Sequence, residues 1–395
     1  MKNQKSIKKG IKITVLVVVV VSLLYCLTSG RLLFGEKYRD YQKFRKTYAK
    51  YYMIKDVLKK SAIGYTESCD ALPSGTSEDA CVTLLHSLDD PYAEYYNPTQ
   101  FASFERNFAE SYDGIGVVIG DVKFKGESDT KVLIYSTFKG SPAEEAGLKP
   151  GDIVVKVDGK KMENSDETCE HVLGVPGTEV KVTIERNGNT KTYTMVRAKI
   201  EEKPVSYKKL DKKKKIGYIS VSTFKEGTFD AFQLAVKDLK NDGYEKIVID
   251  LRNNGGGMTE ESYKMADYLL PEGVIVTEKN KSGHEDTHTS DASEAGIEYV
   301  VLVNEQTASA SEILSCAIQD NKGGKIIGTT TYGKGVTQIT QKLTDGSAIK
   351  YTITEYFRPN GKTVNKVGIT PDIKIKKVDN DSVIFKAAKE ALNGN

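Results

Sequence analysis

The sequence has little net charge, few histidines and no paired-cysteine motif. Each of these features argues against a class of function or site. The 57 lysines and arginines are nearly balanced by 54 acidic residues, which leaves a net charge of +3, so no overall charge bias points to nucleic acid. No CxxC motif and no cluster of His and Cys indicates a metal site. The composition is that of a globular protein, and 395 residues suffice for two or three folded units.

One long hydrophobic run is present, near the N-terminus. Ile13–Gly30 is uncharged and can cross a thin bilayer as a helix. Five lysines precede it, which predicts a cytoplasmic N-terminus and an extracytoplasmic remainder, held in the cell membrane by a single pass. A cleaved signal peptide is the alternative. Against it, no small-residue cleavage pattern follows the run, and Tyr25 is bulky for a lipoprotein site before Cys26.

The five cysteines have different expected states. Cys26 falls in the predicted membrane segment. Cys69 and Cys81 flank a turn-rich stretch and could close a local disulfide in an oxidising compartment. Cys169 and Cys316 fall in patterned segments and are expected to be buried thiols.

The rest of the chain changes character along its length. Helical spacing of apolar residues predicts a small helical region first, and short β-type runs separated by turns predict a compact β-rich module after it. The lysine-rich stretch Glu201–Lys215 is interpreted as a solvated loop. From Ile216 strands and helices alternate, which predicts crossover units and a mainly parallel sheet. The predicted segments are 1–35 (basic tip and anchor), 36–110 (helical), 111–200 (β-rich), 201–378 (α/β core) and 379–395 (helical tail).

Ser309 stands between a predicted buried strand, Tyr299–Val303, and a predicted helix, Ala310–Gln319. A hydroxyl at a helix N-terminus has backbone N–H donors beside it, which could hold a developing oxyanion. The alternative is structural, because Ser309 and Glu312 also fit a capping box in which the hydroxyl only satisfies a helix amide.

A nucleophilic serine needs a base, and the four histidines are poor candidates. His86 falls in the helical region and His171 in the β-rich module, whereas His284 and His288 fall in the polar loop Lys279–Ser293, without apolar anchors to position an imidazole. A Ser-His-Asp arrangement is therefore poorly supported.

A lysine kept neutral by burial is the other possible base. Lys334 lies between Gly333 and Gly335 in a predicted turn, although one more surface lysine is the simpler interpretation. In an extended segment Gln338 would share the face of Lys334, and its amide could hold the lysine amine.

A glycine-rich turn, Arg252–Gly257, follows the predicted strand Lys246–Leu251. It lacks the lysine and the spacing of phosphate-binding loops. Its amides could instead donate to an oxyanion, together with the amide of Ala310.

Two segments of the β-rich module indicate peptide binding. Glycines in Asp113–Val117 precede a strand, and Ser141–Asp152 accompanies them. Such a turn can present successive N–H groups to a peptide carboxylate while the peptide adds to the sheet edge. A plain hairpin turn is the alternative.

Taken together, these stretches resemble the carboxyl-terminal processing peptidases, also called tail-specific proteases. The resemblance extends from about Tyr51 to Ile375, in the family's order, and Ser309 and Lys334 are 25 residues apart, which is similar to the family's serine-to-lysine spacing. The matching stretches are His86–Tyr92, the two segments of the β-rich module, Asp250–Gly257, Thr307–Glu312, Gly333–Gln338 and Phe357–Asp372.

The resemblance implies an α+β multidomain protein with a membrane helix, a helical region, a PDZ domain and a crotonase-like α/β peptidase core. It implies a serine endopeptidase that binds protein or peptide substrates by their C-terminal end and needs no metal or cofactor. The implied residues are Ser309 (nucleophile), Lys334 (general base), Gln338 (orienter of the base), the amides of Gly256 and Ala310 (oxyanion hole), and Gly114, Ile115, Gly116 and Val117 (peptide site).

Two positions depart from the family pattern. Gly255 stands where many members carry proline, which loosens the turn but keeps its amides. Leu173 stands where many members have a basic residue that couples the PDZ domain to the active site, so whether the domain activates or inhibits is left open, as is a homo-oligomer. The main alternative is a membrane-tethered, non-catalytic peptide-binding scaffold; a nucleotide-using crotonase-like enzyme would need a cofactor site that the motifs do not supply.

Overall fold

The computed structural model describes residues 20, 36–106, 111–123, 129–138, 140–201, 203–292, 295–376, 378 and 380–394. The predicted membrane segment Ile13–Gly30, apart from Val20, lies outside the described residues, and Cys26 lies outside them too. No helix in the described part of the chain combines the length and apolar character needed to span a bilayer. Residue contacts divide the chain into two compact units, Met1–Pro91 and Tyr92–Asn395.

The described part of the first unit is helical, in agreement with the sequence. Its α-helices are α1 (Glu36–Thr47), α2 (Ala49–Ser61) and α3 (Ser77–His86). Helix α2 turns Ile54 and Leu58 inward at helical spacing and packs against α3. The predicted helical region 36–110 extends beyond this unit, because it also includes the first strand and helix of the second unit.

The described cysteines are all free thiols. Cys69 and Cys81 are both buried without a disulfide between them, and the Cys69 thiol donates to the Ser87 carbonyl oxygen at 3.3 Å. Cys316 is a buried thiol as predicted, and burial raises its pKa to about 12. Cys169 is only half-buried, contrary to the expectation of a buried thiol, because it lines the groove described below.

The second unit opens with a short strand and a helix and continues into the β-rich module. The elements are β1 (Glu94–Tyr96), α4 (Pro98–Arg106), β2 (Ser111–Gly114), β3 (Val117–Val122), β4 (Lys131–Thr137), α5 (Pro142–Ala146), β5 (Ile153–Val157), β6 (Lys160–Lys161), α6 (Ser165–Val172), β7 (Glu179–Arg186), β8 (Asn189–Val196) and β9 (Ala198–Glu201). The main sheet has the order β3-β4-β5-β7-β8, while β2 and β9 pair where the chain enters and leaves the module. Alternate residues of β7 are buried because successive side chains point to opposite faces of a strand.

The α/β core forms two sheets and the helices packed on them. Its elements are β10 (Val205–Asp211), β11 (Ile216–Val221), α7 (Thr228–Asn241), β12 (Lys246–Asp250), α8 (Thr259–Leu269), β13 (Gly273–Asn280), β14 (Glu285–Ser290), β15 (Glu298–Val303), α9 (Ala310–Asp320), β16 (Lys325–Gly328), β17 (Val336–Lys342), β18 (Ala348–Phe357), β19 (Ile373–Lys374) and α10 (Asp381–Ala391). The order β10-β11-β12-β15-β16-β19 is parallel except at β10, which confirms the predicted mainly parallel sheet. The second sheet has the order β1-β18-β13-β14, with β17 paired to β18.

The interpretation of Glu201–Lys215 as a solvated loop is wrong in part. Lys212–Lys215 form an exposed turn, but Val205–Asp211 form the edge strand β10, antiparallel to β11. Lysines are common on edge strands because their charge discourages pairing with another chain. The ammonium of Lys208 also lies 4.7 Å from the centre of the Tyr218 ring. The lysines of β10 are therefore exposed side chains along the edge of this sheet.

The predicted polar loop Lys279–Ser293 is also wrong in part, since it contains the hairpin of β13 and β14. His288 lies on β14 and stacks on Tyr263, with ring centres 4.2 Å apart. His284 forms an exposed contact with Asp286 at 3.2 Å. Strand β14 was missed because its side chains are mostly polar and exposed.

Candidate active site

The carboxyl ends of the neighbouring parallel strands β12 and β15 carry the two loops that build the site. The amide of Asn253, after β12, donates to Oδ1 of Asn304, after β15, at 2.9 Å. The amide of Ala308 donates to the carbonyl oxygen of Asn254 at 3.0 Å. Ligand and catalytic sites of open α/β sheets form at this edge, so the fold brings the glycine-rich turn beside Ser309.

Ser309 is the residue directly before α9, and it is 8% exposed. Its φ of 55° is unusual for a residue with a side chain. Such conformations cost about 1–3 kcal/mol and persist where the surrounding structure holds them, often at functional sites. The Ser309 amide donates to Oε2 of Glu312 at 2.9 Å, so the carboxylate half of the predicted capping box is present.

Gly256 packs directly against Ser309. Its φ is +101°, and a Cβ there would lie 2.8 Å from Cβ of Ser309 and 3.0 Å from the amide nitrogen of Ala310. Only glycine allows this approach. The Gly256 amide, predicted as an oxyanion donor, donates to Oδ1 of Asn254 at 2.9 Å. A Cβ on Gly255, in contrast, would meet no atom within 4 Å.

The carboxylate of Glu312 links the Ser309 loop to the Lys334 loop. Besides the Ser309 amide, it accepts the Lys334 amide at 2.8 Å, the Gly333 amide at 2.7 Å and the Thr331 hydroxyl at 2.5 Å. Glu312 is fully buried, and burial raises the pKa of its carboxyl group against the opposing effect of these donors. All four partners donate, and the Thr331 oxygen already accepts the Ile369 amide at 2.7 Å, so the arrangement suits an ionised carboxylate.

A second bridge between the same two loops is the hydroxyl group of Tyr356. It donates to the carbonyl oxygen of Lys334 and lies 3.3 Å from the carbonyl oxygen of Ser309. Tyr356 is fully buried on β18, and burial raises its pKa well above the ordinary value. The backbones of the predicted nucleophile and base are therefore held together from two sides.

Lys334 is half-buried in the turn that precedes β17, and its ammonium lies 4.6 Å from the centre of the Tyr92 ring. Gln338 lies on β17, where a β-bulge falls between Thr337 and Gln338. The bulge interrupts the strict alternation on which the shared face of Lys334 and Gln338 was predicted. The side-chain NH₂ group of Gln338 donates to Oγ1 of Thr352 at 3.1 Å.

A groove of about 350 Å³ runs between β3 and α6 in the β-rich module. Ile115, Gly116 and Val117 line it, as does Leu173, whereas Gly114 ends β2 just before it. Gly116 has a φ of +77°, and a Cβ there would lie 2.3 Å from Cβ of Ser141, so this turn requires glycine. Strand β3 is the last strand of its sheet among the described residues, which leaves an edge beside the groove.

No group of three or more His, Cys, Asp and Glu within the described ranges is placed to hold a metal ion.

The sequence matches the profiles of two known domains. Residues 215–375 match the profile of peptidase family S41, and residues 114–196 match that of the PDZ domain. Residues 215–375 therefore form a serine-peptidase domain of peptidase family S41, and the resemblance to the carboxyl-terminal processing peptidases is confirmed.

Relatives with similar sequences are named probable CtpA-like serine proteases. One from Staphylococcus aureus is 36% identical over 305 residues, and one from Staphylococcus haemolyticus is 37% identical over the same length. These matches cover 76% of this chain and 60% of each relative, so the chain matches about three fifths of the relatives' length.

Solved structures of two other proteases have a similar fold. The photosystem II D1 C-terminal processing protease matches with a TM-score of 0.58 and 28% identity, over 84% of this chain and 93% of that chain. A putative S41 protease from Bacteroides fragilis matches with a TM-score of 0.57 and 17% identity, over 87% and 97%; at this identity the likeness concerns the fold alone.

Sequence reasoning predicted Ser309 and Lys334 as the reacting pair but missed the residues that hold their two loops together. Glu312 was noticed only as a capping partner, and Tyr356 was not noticed. The stretch ending at Tyr92 was noticed as a family motif without a role. The contacts of Tyr356 and Tyr92 with the site join residues far apart in the chain, which local patterns do not report.

Proposed function

We propose that the protein is a serine endopeptidase that binds the C-terminal end of a protein substrate in its PDZ groove and cleaves a peptide bond with Ser309 and Lys334. The observation that carries this proposal is the shared Glu312 carboxylate, which accepts the backbone amides of both Ser309 and Lys334 at 2.9 and 2.8 Å. Burial of a carboxylate costs free energy, so its use to join two loops indicates that their relative position matters. A nucleophile and its base must be positioned accurately for catalysis.

The chemistry would follow the usual course of acyl transfer. The neutral amine of Lys334 accepts the Ser309 hydroxyl proton as Oγ attacks the substrate carbonyl carbon. The resulting ammonium then gives that proton to the leaving amine, which releases the C-terminal fragment and leaves an acyl-enzyme. In deacylation, Lys334 takes a proton from water as the water oxygen attacks the ester carbonyl carbon. Lys334 then gives that proton to Oγ of Ser309 as the C–Oγ bond breaks, which releases the new carboxyl group and restores the serine hydroxyl. Gln338 would orient the lysine amine.

The tetrahedral oxyanion needs N–H donors near Ser309. The Ala310 amide lies at the start of α9, where the helix dipole also favours negative charge. The Gly256 amide would have to exchange its bond to Oδ1 of Asn254 for one to the oxyanion. We therefore assign the first donor to Ala310 and the second to Gly256 after a small movement of the turn.

The PDZ groove would supply substrate capture. Its lining is largely apolar, including Ile115, Val117, Phe138 and Val172, which suits an apolar C-terminal side chain. An extended peptide can add to the free edge of β3, and the amides of the turn before it can hold the terminal carboxylate.

Amidation of a substrate's C-terminus is expected to weaken its binding by about 1.5–3 kcal/mol, roughly 10- to 150-fold, because the charge-assisted hydrogen bonds of the carboxylate are lost. Cleavage at low substrate concentration should fall in parallel. The measurement compares free-acid and amidated forms of one unstructured peptide with apolar last residues, using the full chain in detergent.

Two controls separate capture from chemistry. The Ser309→Ala protein should bind the free acid with unchanged affinity and release no fragments. Equal affinities and equal cleavage rates for the two forms would refute capture through the carboxylate. Binding without any cleavage by the unsubstituted protein would favour the peptide-binding scaffold instead.

We also propose that 13–30 anchors the protein in the cell membrane with the catalytic core outside the cell. Support comes from the uncharged run and the five lysines before it. After expression in a bacterial host, the protein should stay with membranes through alkaline carbonate washing and keep its N-terminal residues by mass spectrometry. Soluble protein that begins near Thr28 to Arg31 would identify a cleaved signal peptide instead.

A further inference from the structure

Tyr92 places the face of its ring against Lys334. The lysine Nζ is 4.6 Å from the ring centre, within the range of a cation–π contact. Both side chains are partly accessible to solvent. The mechanism proposed above uses Lys334 as the base and assigns no role to Tyr92, so it does not explain why the ring faces the lysine.

The sheet around β18 fixes both partners of this contact. Tyr92 lies two residues before β1, and Lys334 lies two residues before β17. Both strands pair with β18, with Glu94 opposite Lys350 and Val336 opposite Glu355. Tyr92 and Lys334 therefore each lie in a short segment that leads directly into a strand of the same sheet.

We propose that Tyr92 is a positioning residue that holds the protonated amine of Lys334 in the resting enzyme. An aromatic face attracts an ammonium ion through its quadrupole and gains far less from a neutral amine. The ring therefore favours the form of Lys334 that cannot act as a base. This inference rests on the proposed role of Lys334 and deepens it: the amine must leave the ring face to accept the Ser309 proton.

Other titratable groups lie on the elements around this loop. They are Glu312 on α9, Glu355 and Tyr356 on β18, Tyr332 in the loop itself, and Lys366, whose amide donates to the Gly333 carbonyl oxygen at 2.7 Å. Substitution of Tyr92 leaves all of them in place, so a change in the titration of activity isolates the ring.

The test measures kcat/KM against pH for the full chain in detergent, with one unstructured free-acid peptide. Tyr92→Phe keeps the ring and is the matched control, and Tyr92→Leu removes it. In Tyr92→Leu the acidic half-point of the profile should move down by roughly half a pH unit, because the charged lysine loses stabilisation. Below that half-point the variant should be about three times as active as the unsubstituted protein, whereas Tyr92→Phe should follow the unsubstituted profile.

A second readout follows the amine itself. Only the neutral form reacts with acetic anhydride, so Lys334 of Tyr92→Leu should acetylate about three times faster at neutral pH than Lys334 of Tyr92→Phe, by peptide mass spectrometry. If the leucine variant does not fold, Tyr92→Met replaces it. Unchanged half-points and acetylation rates overturn the proposal, as does a folded leucine variant without activity. Absence of cleavage in the unsubstituted protein would instead overturn the proposed function.

Discussion

Replacing Ser309 with Ala, or Lys334 with Ala or Arg, is expected to lower cleavage by at least about 10³-fold, to the background of the assay. Alanine at 309 removes the attacking oxygen, and the neighbouring Ser311 hydroxyl cannot replace it because it is fully buried and donates to the Asn254 carbonyl oxygen at 3.0 Å. Arginine at 334 keeps a cation that can face Tyr92, but a guanidinium does not release its proton near neutral pH. The Lys334→Arg variant therefore shows whether cleavage requires a positive charge at this position or a side chain that can accept a proton.

The measurement is cleavage of the free-acid peptide by equal amounts of each full-length variant, with thermal unfolding as the control for folding. All three variants should unfold within a few degrees of the unsubstituted protein, because neither side chain is part of an apolar core cluster. Turnover above one tenth in any folded variant would exclude this dyad. Activity in Lys334→Arg alone would mean that Lys334 acts through its charge and that another group takes the proton.

The sequence was sufficient to predict Ser309 because its neighbourhood is strongly patterned. The buried run of β15 and the amphipathic α9 can be recognised from local periodicity, and a serine between them must lie at a strand-to-helix turn. Lys334 became a candidate through the lack of a well-placed histidine and through its flanking glycines, and its role as the base was implied by the resemblance to the family. These two predictions needed no knowledge of distant contacts.

The parts that local patterns did not predict are polar or long-range. Strands β14 and β10 were interpreted as loops because their residues are mostly polar and neither strand carries a run of apolar residues. Tyr356 reaches the Ser309 carbonyl oxygen from 47 positions away, and nothing near either residue signals the contact. For Glu312 the local signal was correct but incomplete: the capping box explains the Ser309 amide and not the three donors from the Lys334 loop.

Glu312→Gln is expected to reduce cleavage by about 100-fold or more and to lower the free energy of unfolding by roughly 2–4 kcal/mol. A glutamine side chain has nearly the same shape, but in either orientation its NH₂ group would face at least one backbone N–H, which can only donate. At least one loop would lose its hydrogen bonds, and a displacement of about 1 Å between nucleophile and base is enough for such a rate loss.

Glu261 offers a matched control, since it is also a buried carboxylate on a helix, 4% exposed. It accepts the Phe229 amide at 2.7 Å and pairs with Lys264 at 2.7 Å, both outside the loops of Ser309 and Lys334. Glu261→Gln should lower stability to a similar degree while the folded protein keeps its kcat. If the two variants lose stability and activity in the same proportion, Glu312 is only a stabilising residue. A kcat loss confined to Glu312→Gln, measured well below both melting temperatures, would mean that its carboxylate keeps the two loops in the relative position that catalysis requires.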